Sequence, residues 1–381
     1  MSAEVSVVSC GDYSCESARR ALEEVLLPID GLDFVKPGMK IAIKANLVTH
    51  KHPDGAATTH PALIGALCDM LLERGASVVI GDSPGGTFNT AKLNAVYAAT
   101  GMAELERDGV KLNRNVAQST AHFPQAYSAH EFEYTSYLDE ADAIVNFSKL
   151  KTHGMMGMSC AVKNMFGVVP GTRKPEYHYR FSKPMQFAHM IIDLNEYFKP
   201  SLCVVDAVVG MEGNGPTAGT PRRIGAVLAS KSPYKLDLVC AKLIGLGADD
   251  VLTLKAALER GFIPMSGSVN DVGVYGDIEP FIIDDYEKIP PQKLDFSDRF
   301  LILNGFVRRS LRPRPKANES ECTGCGKCER ICPAHAVTLR NGKAHVDTSI
   351  CIRCFCCQEF CPKAAMVVHR PLVARLLQRK R

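Results

Sequence analysis

The apolar positions of the first three hundred residues form two alternating patterns. Short runs of β-branched and other apolar residues predict strands at residues 40–45, 77–82, 143–147, 202–207 and 224–229. Around them, apolar residues recur at helical spacing and predict helices at residues 61–74, 91–100, 186–197, 236–246 and 249–260. Several of the strands are apolar throughout, as strands covered on both faces are. The alternation predicts an α/β fold, a mostly parallel sheet with flanking helices.

Both patterns stop near residue 310. The segment VRRSLRPRPK at residues 307–316 is rich in Arg and Pro and has no apolar period, which is typical of a semi-rigid linker. Beyond it, nine of the fifteen cysteines lie within forty residues. We therefore predict an α/β domain at residues 1–306, a linker at 307–317, a small α+β domain at 318–369 and a basic tail at 370–381.

Composition and charge narrow the possible classes of protein. With 46% hydrophobic and 23% charged residues, the chain is not a disordered protein, a collagen or a coiled coil. The part from Gly305 onward holds 16 Lys and Arg against 5 Asp and Glu, whereas the rest of the chain has a net charge of −7. The sequence shows neither a signal-peptide pattern nor an apolar run of about 18 residues. We therefore expect a cytoplasmic protein with no transmembrane segment, and we expect no nucleic-acid partner.

The cysteine-rich region contains the pattern C-x2-C-x2-C-x3-C-P twice. The cysteines of the first copy are Cys322, Cys325, Cys328 and Cys332, and those of the second copy are Cys351, Cys354, Cys357 and Cys361. This duplication is typical of a bacterial-type ferredoxin domain with two 4Fe-4S clusters, in which the fourth cysteine of each run binds the other cluster. We therefore predict that Cys361 joins the first three cysteines of the first copy, and that Cys332 joins the first three of the second.

Zinc ribbons and disulfides are the alternatives for these cysteines. Zinc sites need their four ligands in two pairs, and disulfides form in oxidising compartments, which the missing signal peptide argues against. The duplicated spacing favours iron–sulfur clusters, which would also help such a small domain to fold. Cys356 is left without a ligand role, because using it in place of Cys357 would break the spacing.

Polar residues just past the predicted strands are the candidates for a binding site, because ligands of open α/β sheets bind at the carboxyl ends of the strands. Four lysines adjoin such strand ends and glycine-rich turns: Lys44, Lys149, Lys151 and Lys163. Together with backbone N–H groups, their ammonium groups would bind a carboxylate or a phosphate. The alternative for each lysine is an ordinary solvated position on the surface. We predict a pocket for a small anionic substrate.

Two histidines and several smaller polar residues complete the predicted site. His153 and His178 are candidate proton donors, because imidazole titrates near neutral pH; a structural, hydrogen-bonded histidine is the alternative for each. Further substrate-binding candidates are residues with amide or carboxylate side chains: Asn46, Asp82, Asn164, Asp206, Glu212 and Asn214. For the carboxylates, turn capping is equally compatible with the sequence. Cys160 is either a reactive thiol near Lys163 or a small buried residue.

Five segments of the first domain resemble domain of unknown function family 362, whose members are iron–sulfur-associated proteins of bacteria and archaea. They are IKANLV at 43–48, TTHP at 58–61, GDSPGG at 81–86, KLKTHGMMGMSCAVKNMFGVVPG at 149–171 and VDAVVGMEGNGPTAG at 205–219. The resemblance extends from residue 41 to residue 247. A carboxy-terminal pair of ferredoxin motifs is a common companion in that family, which agrees with the predicted domains. The resemblance implies no particular reaction.

These observations lead to one leading hypothesis and two alternatives. In the first, a low-potential donor such as a ferredoxin or flavodoxin reduces the two clusters, which pass single electrons to a small anionic substrate. Lys151, Lys163 and one of the two histidines would act on the substrate, and the other lysines and amides would bind it. The alternatives are a ferredoxin-type electron-transfer partner of another redox enzyme, and a non-redox enzyme or regulator with structural or sensing clusters.

Overall fold

The computed structural model describes residues 3–289 and 313–369. The strands, in chain order, are β1 Val5–Ser9, β2 Lys40–Lys44, β3 Ser77–Gly81, β4 Val110–Leu112, β5 Gln118–His122, β6 Glu131–Thr135, β7 Ala143–His153, β8 Gly157–Ser159, β9 Leu202–Glu212, β10 Thr220–Ser230, β11 Val274–Tyr275, β12 Arg314–Ala317, β13 Val337–Arg340, β14 Lys343–Val346 and β15 Met366–His369. The α-helices are α1 Cys15–Leu26, α2 Pro61–Leu72, α3 Thr90–Ala99, α4 Ala161–Asn164, α5 Lys174–Arg180, α6 Pro184–Phe198, α7 Pro233–Leu243, α8 Leu252–Glu259, α9 Lys327–Arg330 and α10 Cys356–Glu359. Short 3-10 helices occupy Leu27–Ile29, Pro53–Gly55, Met102–Leu105, Ser136–Glu140, Met165–Val168, Val269–Asp271 and Glu279–Phe281. Across the two described ranges, none of the helices has the length and apolar character needed to span a bilayer.

One nine-stranded sheet forms the centre of the first region, with the strand order β11-β1-β10-β9-β7-β2-β3-β4 and with β8 paired to the end of β7. Strands β9, β7, β2, β3 and β4 are parallel, whereas β10 runs antiparallel to both β9 and β1. The predicted fold class, a mostly parallel sheet with flanking helices, is confirmed. The strand predicted at residues 224–229 is antiparallel because the connection at 213–219 is too short for a crossover helix.

Alternate residues of the central strands face opposite sides of the sheet and build two apolar cores. In β2, Ile41 and Ile43 belong to the core covered by α1, α2 and α3, whereas Ala42 belongs to the core covered by α6, α7 and α8. Both faces of the sheet are therefore covered and shielded from solvent, which agrees with the continuous apolar runs of the sequence.

Three strands are longer than the sequence pattern predicts. Strands β7, β9 and β10 each have 11 residues, and β7 continues through its polar second half while staying buried. Lys149 and Lys151 therefore lie within a strand, and not in the loop after it as predicted. Polar residues can stay in a buried strand only where partners satisfy them, and these partners come from distant parts of the chain. The strands β1, β4, β5 and β6, of three to five residues, are additions to the predicted set.

The cysteine-rich region contains two short antiparallel ladders, β12 with β15 and β13 with β14. Helices α9 and α10 have four residues each, and each lies within one of the two cysteine motifs. Residues 307–312 of the predicted linker and the whole basic tail at 370–381 lie outside the described residues, while the end of the linker segment forms β12. The division into domains stays a prediction.

The two cysteine motifs share a turn of unusual backbone conformation. Gly324 and Gly326, two and four positions after the first cysteine, have φ angles of 68° and 70°. Arg353 and Phe355 occupy the same places in the second motif, with φ angles of 59° and 62°. A residue with a side chain in this conformation costs about 1–3 kcal/mol. The repeat in the sequence is therefore also a repeat of backbone geometry, kept in the second motif at a cost in stability.

Candidate functional site

Two cavities in the cysteine-rich region are each lined by four cysteines of the predicted cluster sites. The first is bordered by Cys322, Cys325, Cys328 and Cys361. The second is bordered by Cys332, Cys351, Cys354 and Cys357. The fourth cysteine of each motif lies beside the first three of the other motif, which is the arrangement of a two-cluster ferredoxin.

The donor chemistry of these cavities fits 4Fe-4S clusters. The backbone N–H of Ala336 donates to Cys332 Sγ at 3.2 Å, and that of Arg353 donates to Cys351 Sγ at 3.4 Å. Hydrogen bonds of this kind favour the thiolate that binds iron. Within residues 3–289 and 313–369, no three His, Cys, Asp or Glu side chains are placed to share one metal ion. The thiols instead surround two separate cavities.

Cys356 also borders the second cavity, and it acts there as a hydrogen-bond donor. A hydrogen bond from the Cys356 thiol lowers the pKa of Cys354. The same bond, followed by burial, raises the pKa of Cys356 well above its usual value. The interpretation of the sequence, in which Cys356 is not a ligand, stays a prediction.

Two of the four predicted lysines form buried ion pairs. Lys44 Nζ lies 2.7 Å from Asp82 Oδ1, and Lys149 Nζ lies 2.8 Å from Asp206 Oδ2. None of these four side chains is more than 4% exposed. Each ammonium group is therefore already neutralised by a carboxylate of the chain, which leaves little charge for a substrate.

Both aspartates of these pairs also organise the surrounding loops. Asp82 accepts the backbone N–H of Leu47 at 2.7 Å and that of Ser83 at 2.8 Å. Asp206 accepts the backbone N–H of His60 at 3.0 Å and the hydroxyl of Tyr13 at 2.8 Å. These contacts fit the structural alternative that the sequence left open for the carboxylates.

Lys151 is buried, and no carboxylate of residues 3–289 or 313–369 forms an ion pair with it. Its Nζ donates to Asn46 Oδ1 at 2.7 Å and to the carbonyl oxygen of Ala57 at 2.6 Å. Asn46 in turn donates from Nδ2 to Asn164 Oδ1 at 2.8 Å, and Asn164 donates to Asn146 Oδ1 at 2.8 Å. The amides of Asn46 and Asn164 therefore position Lys151, and the structure uses their hydrogen bonds within the protein.

Two further lysines flank one aromatic ring near Lys151. Lys163 Nζ lies 5.6 Å from the centroid of the Phe166 ring, and Lys174 Nζ lies 5.7 Å from the same centroid. Lys174 donates to the carbonyl oxygen of Ser83. Among the described residues, Lys163 Nζ has no hydrogen-bond or ion-pair partner. Lys174, which directly follows the turn PGTR at 170–173, is not among the predicted site residues.

Burial lowers the pKa of all three of these lysines. Burial, followed by the charge of Lys163, lowers the pKa of Lys151 to about 7. Burial also lowers the pKa of Lys174 to about 8 and lowers that of Lys163. An ammonium group removed from water is costly until it gains a partner of opposite charge. A bound anion would supply that partner.

Both predicted histidines are buried and uncharged near pH 7. The backbone N–H groups of Met155 and Met156 point to His153 Nδ1 at 3.1 and 3.3 Å, so Nε2 carries the ring proton. Burial lowers the pKa of His153 well below its usual value and that of His178 to about 3. These shifts disfavour an imidazolium at either position, and the proton-donor role of both histidines stays a prediction.

Four buried polar atoms near the lysines lack a hydrogen-bond partner among the described residues. They are His153 Nε2, His178 Nδ1, Thr58 Oγ1 and Ser83 Oγ. Thr58 follows Ala57, whose carbonyl binds Lys151, and Ser83 binds Lys174 through its carbonyl. Each buried polar group without a partner costs about 1–3 kcal/mol, which a bound ligand would recover.

Helix α10 connects the cysteine-rich region to the site formed by Lys151, Lys163 and Lys174, called the lysine site below. Gln358 Nε2 lies 2.5 Å from Asn214 Oδ1 and 3.0 Å from the carbonyl oxygen of Gly215. The hydroxyl of Thr217 donates to the carbonyl oxygen of Glu359 at 3.0 Å. Asn214, predicted to bind substrate, therefore binds the cysteine-rich region.

The next residues extend this contact toward the charged groups. The negative charge of Glu359 counteracts the lowering of the pKa of all three site lysines: Lys151, Lys163 and Lys174. A Cβ on Gly85 would lie 2.2 Å from ring atoms of Phe360, so this ring lies directly on the GDSPGG turn. The spacing of the cysteines gives no signal for Gln358, Glu359 or Phe360.

Two predicted candidates contact none of the site lysines. Glu212 accepts the backbone N–H of Glu287 at 3.0 Å and lies 3.8 Å from Arg222. Cys160 is 1% exposed, and burial raises the pKa of its thiol well above the usual value. Its environment is that of the small buried residue that the sequence offered as the alternative.

The fold and the cysteine-lined cavities define an iron–sulfur protein with an α/β domain. Residues 41–242 match the family described as domain of unknown function (DUF362), and residues 314–362 match the 4Fe-4S dicluster domain. The first match covers more than half of the chain, so the chain belongs to the DUF362 family. The family predicted from the sequence motifs is confirmed, and so is the binding of 4Fe-4S clusters.

Similarities to individual proteins are more distant. A thylakoid-associated protein of Synechocystis sp. is 28% identical over 269 residues, which are 70% of this chain and 82% of the relative. The lactate racemase apoprotein from Thermoanaerobacterium thermosaccharolyticum is 14% identical with a TM-score of 0.42, over 65% of this chain and 58% of that one. A protein from Thermotoga maritima is 14% identical with a TM-score of 0.35, over 56% and 55%. Both solved structures are too distant to inform the function.

Proposed function

We propose that the protein is an iron–sulfur oxidoreductase in which two 4Fe-4S clusters pass single electrons to a small anionic substrate held by Lys151, Lys163 and Lys174. The observation that carries this proposal is the contact between α10 and the lysine site. Cys356 and Cys357 of α10 border the second cavity, and Glu359 of the same helix acts on all three lysines. A cluster in that cavity would therefore lie beside the substrate.

Bound clusters supply electrons one at a time. The cysteines that line the first cavity would hold one cluster, and Cys332, Cys351, Cys354 and Cys357 would hold the other. Phe355 borders the second cavity and also belongs to the apolar core that α6, α7 and α8 cover. Packed side chains would therefore fill the space between this cluster and the α/β domain, and would keep water out of it.

The three lysines would divide the work on the substrate. Lys163 and Lys174 flank the Phe166 ring, and in the described part of the chain neither forms an ion pair; they would bind the anion and stabilise added negative charge. Lys151 would transfer a proton at Nζ, because a group with a pKa of about 7 exchanges protons readily near neutral pH. In this proposal Lys151 takes the role that the sequence gave to the histidines.

A low-potential electron donor with an acidic surface would dock near the first cavity. Lys327 and Lys363 border this cavity, and Lys343 Nζ donates to the carbonyl oxygen of Cys322 at 2.7 Å. Basic surfaces favour the approach of acidic partners, and a flavodoxin or another ferredoxin has that chemistry. A cytoplasmic location belongs to the same proposal, because free thiols persist in reducing compartments.

Reoxidation of reduced clusters tests the proposal. The chain is reconstituted under anaerobic conditions, reduced with dithionite and exposed to a set of small carboxylates and phosphates, while the EPR signal of the reduced clusters is recorded. We expect at least one anion to remove this signal. Lys163→Met should lower kcat/KM for that anion by about tenfold or more, because a charge-assisted hydrogen bond contributes about 1.5–3 kcal/mol.

The control for this variant is Lys36→Met, which removes an exposed lysine and should leave kcat/KM unchanged. If a redox protein reoxidises the clusters and none of the anions does, the proposal of an enzyme is rejected. The protein would then be an electron-transfer partner of another redox enzyme. Clusters that neither anions nor redox proteins reoxidise would favour a structural or sensing role.

A further inference from the structure

Lys151 differs from the other strand lysines in the partners of its side-chain nitrogen. Lys44 and Lys149 each face an aspartate carboxylate, at 2.7 and 2.8 Å. Lys151 is equally buried but donates to two uncharged acceptors, Asn46 Oδ1 and the carbonyl oxygen of Ala57. A neutral amine has two N–H donors and one lone pair. These two hydrogen bonds therefore use both donors of a neutral amine and leave its lone pair unused.

The position of this amine is fixed by its surroundings. Asn46 uses Nδ2 to bind Asn164 Oδ1 at 2.8 Å, which directs its Oδ1 toward Lys151. Lys151 is 0% exposed, so bulk water does not compete for the lone pair. A nucleophile reacts fastest when it is unprotonated and already oriented. The hydrogen bonds orient Lys151, and with a pKa of about 7 a large fraction of its amine is unprotonated near neutral pH.

Groups that suit an anionic carbonyl compound lie near this amine. Lys163 and Lys174 flank the Phe166 ring at 5.6 and 5.7 Å, and neither forms an ion pair within the described residues. The buried hydroxyls of Thr58 and Ser83 have no partner in the part of the chain that the structure describes. The two ammonium groups would bind a carboxylate, and the two hydroxyl groups would form hydrogen bonds with further oxygen atoms of the ligand.

We propose that Lys151 forms an imine with the carbonyl carbon of a small oxo acid whose carboxylate binds Lys163 and Lys174. Nζ attacks the carbonyl carbon, and one amine hydrogen moves to the carbonyl oxygen to give a carbinolamine. The second amine hydrogen and the hydroxyl group then leave as water, and a C=N bond remains. The step neither consumes nor releases electrons. It rests on the proposed function only in placing an anion at this site.

Reductive trapping on the full, cluster-loaded chain tests this inference. Glyoxylate and sodium cyanoborohydride are added under anaerobic conditions, and carboxymethylated lysines are located by peptide mass spectrometry. We expect Lys151 to carry at least about tenfold more label than the exposed Lys36 and Lys111, because an unprotonated amine reacts far faster than an ammonium group. Label on Lys151 at or below the level of the exposed lysines would overturn the inference.

Acetaldehyde, a carbonyl probe without a carboxylate, separates imine formation from anion binding. Lys174→Met should reduce glyoxylate labelling of Lys151 about tenfold and leave acetaldehyde labelling within about twofold. An equal loss with both probes would overturn the placement of the carboxylate at Lys174. The comparison of the two probes on the unmodified chain needs no variant, and we expect glyoxylate to label Lys151 faster.

Lys151→Arg keeps a long side chain with hydrogen-bond donors but cannot form the trapped product, so residue 151 should carry no label while the cluster absorbance is retained. The same preparations are reduced with dithionite and exposed to the anions. Labelling of Lys151 without any reoxidation would support the imine and reject electron transfer to small anions. Reoxidation without labelling would reject the imine and leave the proposed function in place.

Discussion

Lys149 and Lys151 stand two positions apart on the same face of β7, yet their electrostatic environments are opposite. Lys149 is paired in the sheet with Asp206, whereas Lys151 is paired with Met211, because the register of β9 shifts between them. The sequence predicts lysines at this end of the sheet. It does not predict which of them are neutralised, because that depends on the register of a strand more than fifty residues away.

The buried pair of Lys149 and Asp206 should contribute strongly to stability. Asp206→Asn leaves a buried ammonium group with uncharged partners, and we expect the free energy of unfolding to fall by about 3–5 kcal/mol. Anaerobic urea denaturation measures this loss. The control is Glu73→Gln, which removes an ion pair with Arg19 of 2.7 Å at the surface and should cost about 1 kcal/mol or less. Equal losses in the two variants would contradict this assignment.

The protonation of Lys151 should make stability depend on pH. Its pKa is about 7 in the folded chain, against 10.5 for an ordinary lysine. Between these values the unfolded chain binds more protons, so raising the pH should stabilise the native protein relative to Lys151→Met. The difference in unfolding free energy should change by up to about 1.4 kcal/mol per pH unit.

Urea denaturation at several pH values between 7 and 9.5 gives this difference directly, because the contributions of the other groups cancel. Below the folded pKa both states are protonated and the difference should level off. A variant at the exposed Lys36 serves as the control. Parallel stability curves for the native chain and Lys151→Met would show that Lys151 keeps its proton in the folded protein.

At the scale of elements, α10 has only four residues and nevertheless serves two parts of the molecule. Its cysteines border the second cavity, while Gln358 and Glu359 contact the α/β domain. The cysteine spacing predicts the ligand positions, because a cluster demands fixed sulfur positions. It leaves the residues between them unspecified, so no pattern in the motif reveals the second surface of the helix.

Loss of the Gln358 amide should loosen this contact. Gln358→Ala removes hydrogen bonds to Asn214 and Gly215, and we expect hydrogen exchange in α10 and at residues 213–217 to accelerate about tenfold or more. Mass spectrometry of exchanged peptides measures this change. Gln118→Ala, at an exposed position of β5, is the matched control and should leave both segments unchanged. Unchanged exchange in Gln358→Ala would show that other contacts hold α10.

At the scale of the whole molecule, the alternation of strands and helices predicts the class of the sheet correctly. This alternation does not predict that β10 is antiparallel, because apolar runs look alike in parallel and antiparallel strands. The lysine cluster was predicted as a pocket in the loops past the strand ends, whereas Lys44, Lys149, Lys151 and Lys163 are buried. Contacts between segments far apart in the chain decide both points.

The crossed arrangement of the cysteines predicts an unusual result from ligand variants. Cys361→Ser should remove the same EPR component as Cys325→Ser, although Cys361 belongs to the second motif, because both border the first cavity. Iron content should fall to about half in each variant. Cys356→Ser should retain both components. If Cys361→Ser instead removed the EPR component that Cys351→Ser removes, this result would contradict the assignment.

The ring of Phe360 against Gly85 has a consequence for evolution and for engineering. Since a single added carbon at residue 85 would collide with the ring, the two halves of the chain restrict each other's sequences. A chimaera that carries a foreign ferredoxin without an aromatic residue here would have a gap above the turn. An exchange of ferredoxin domains between relatives therefore has to transfer the residues at positions 85 and 360 together.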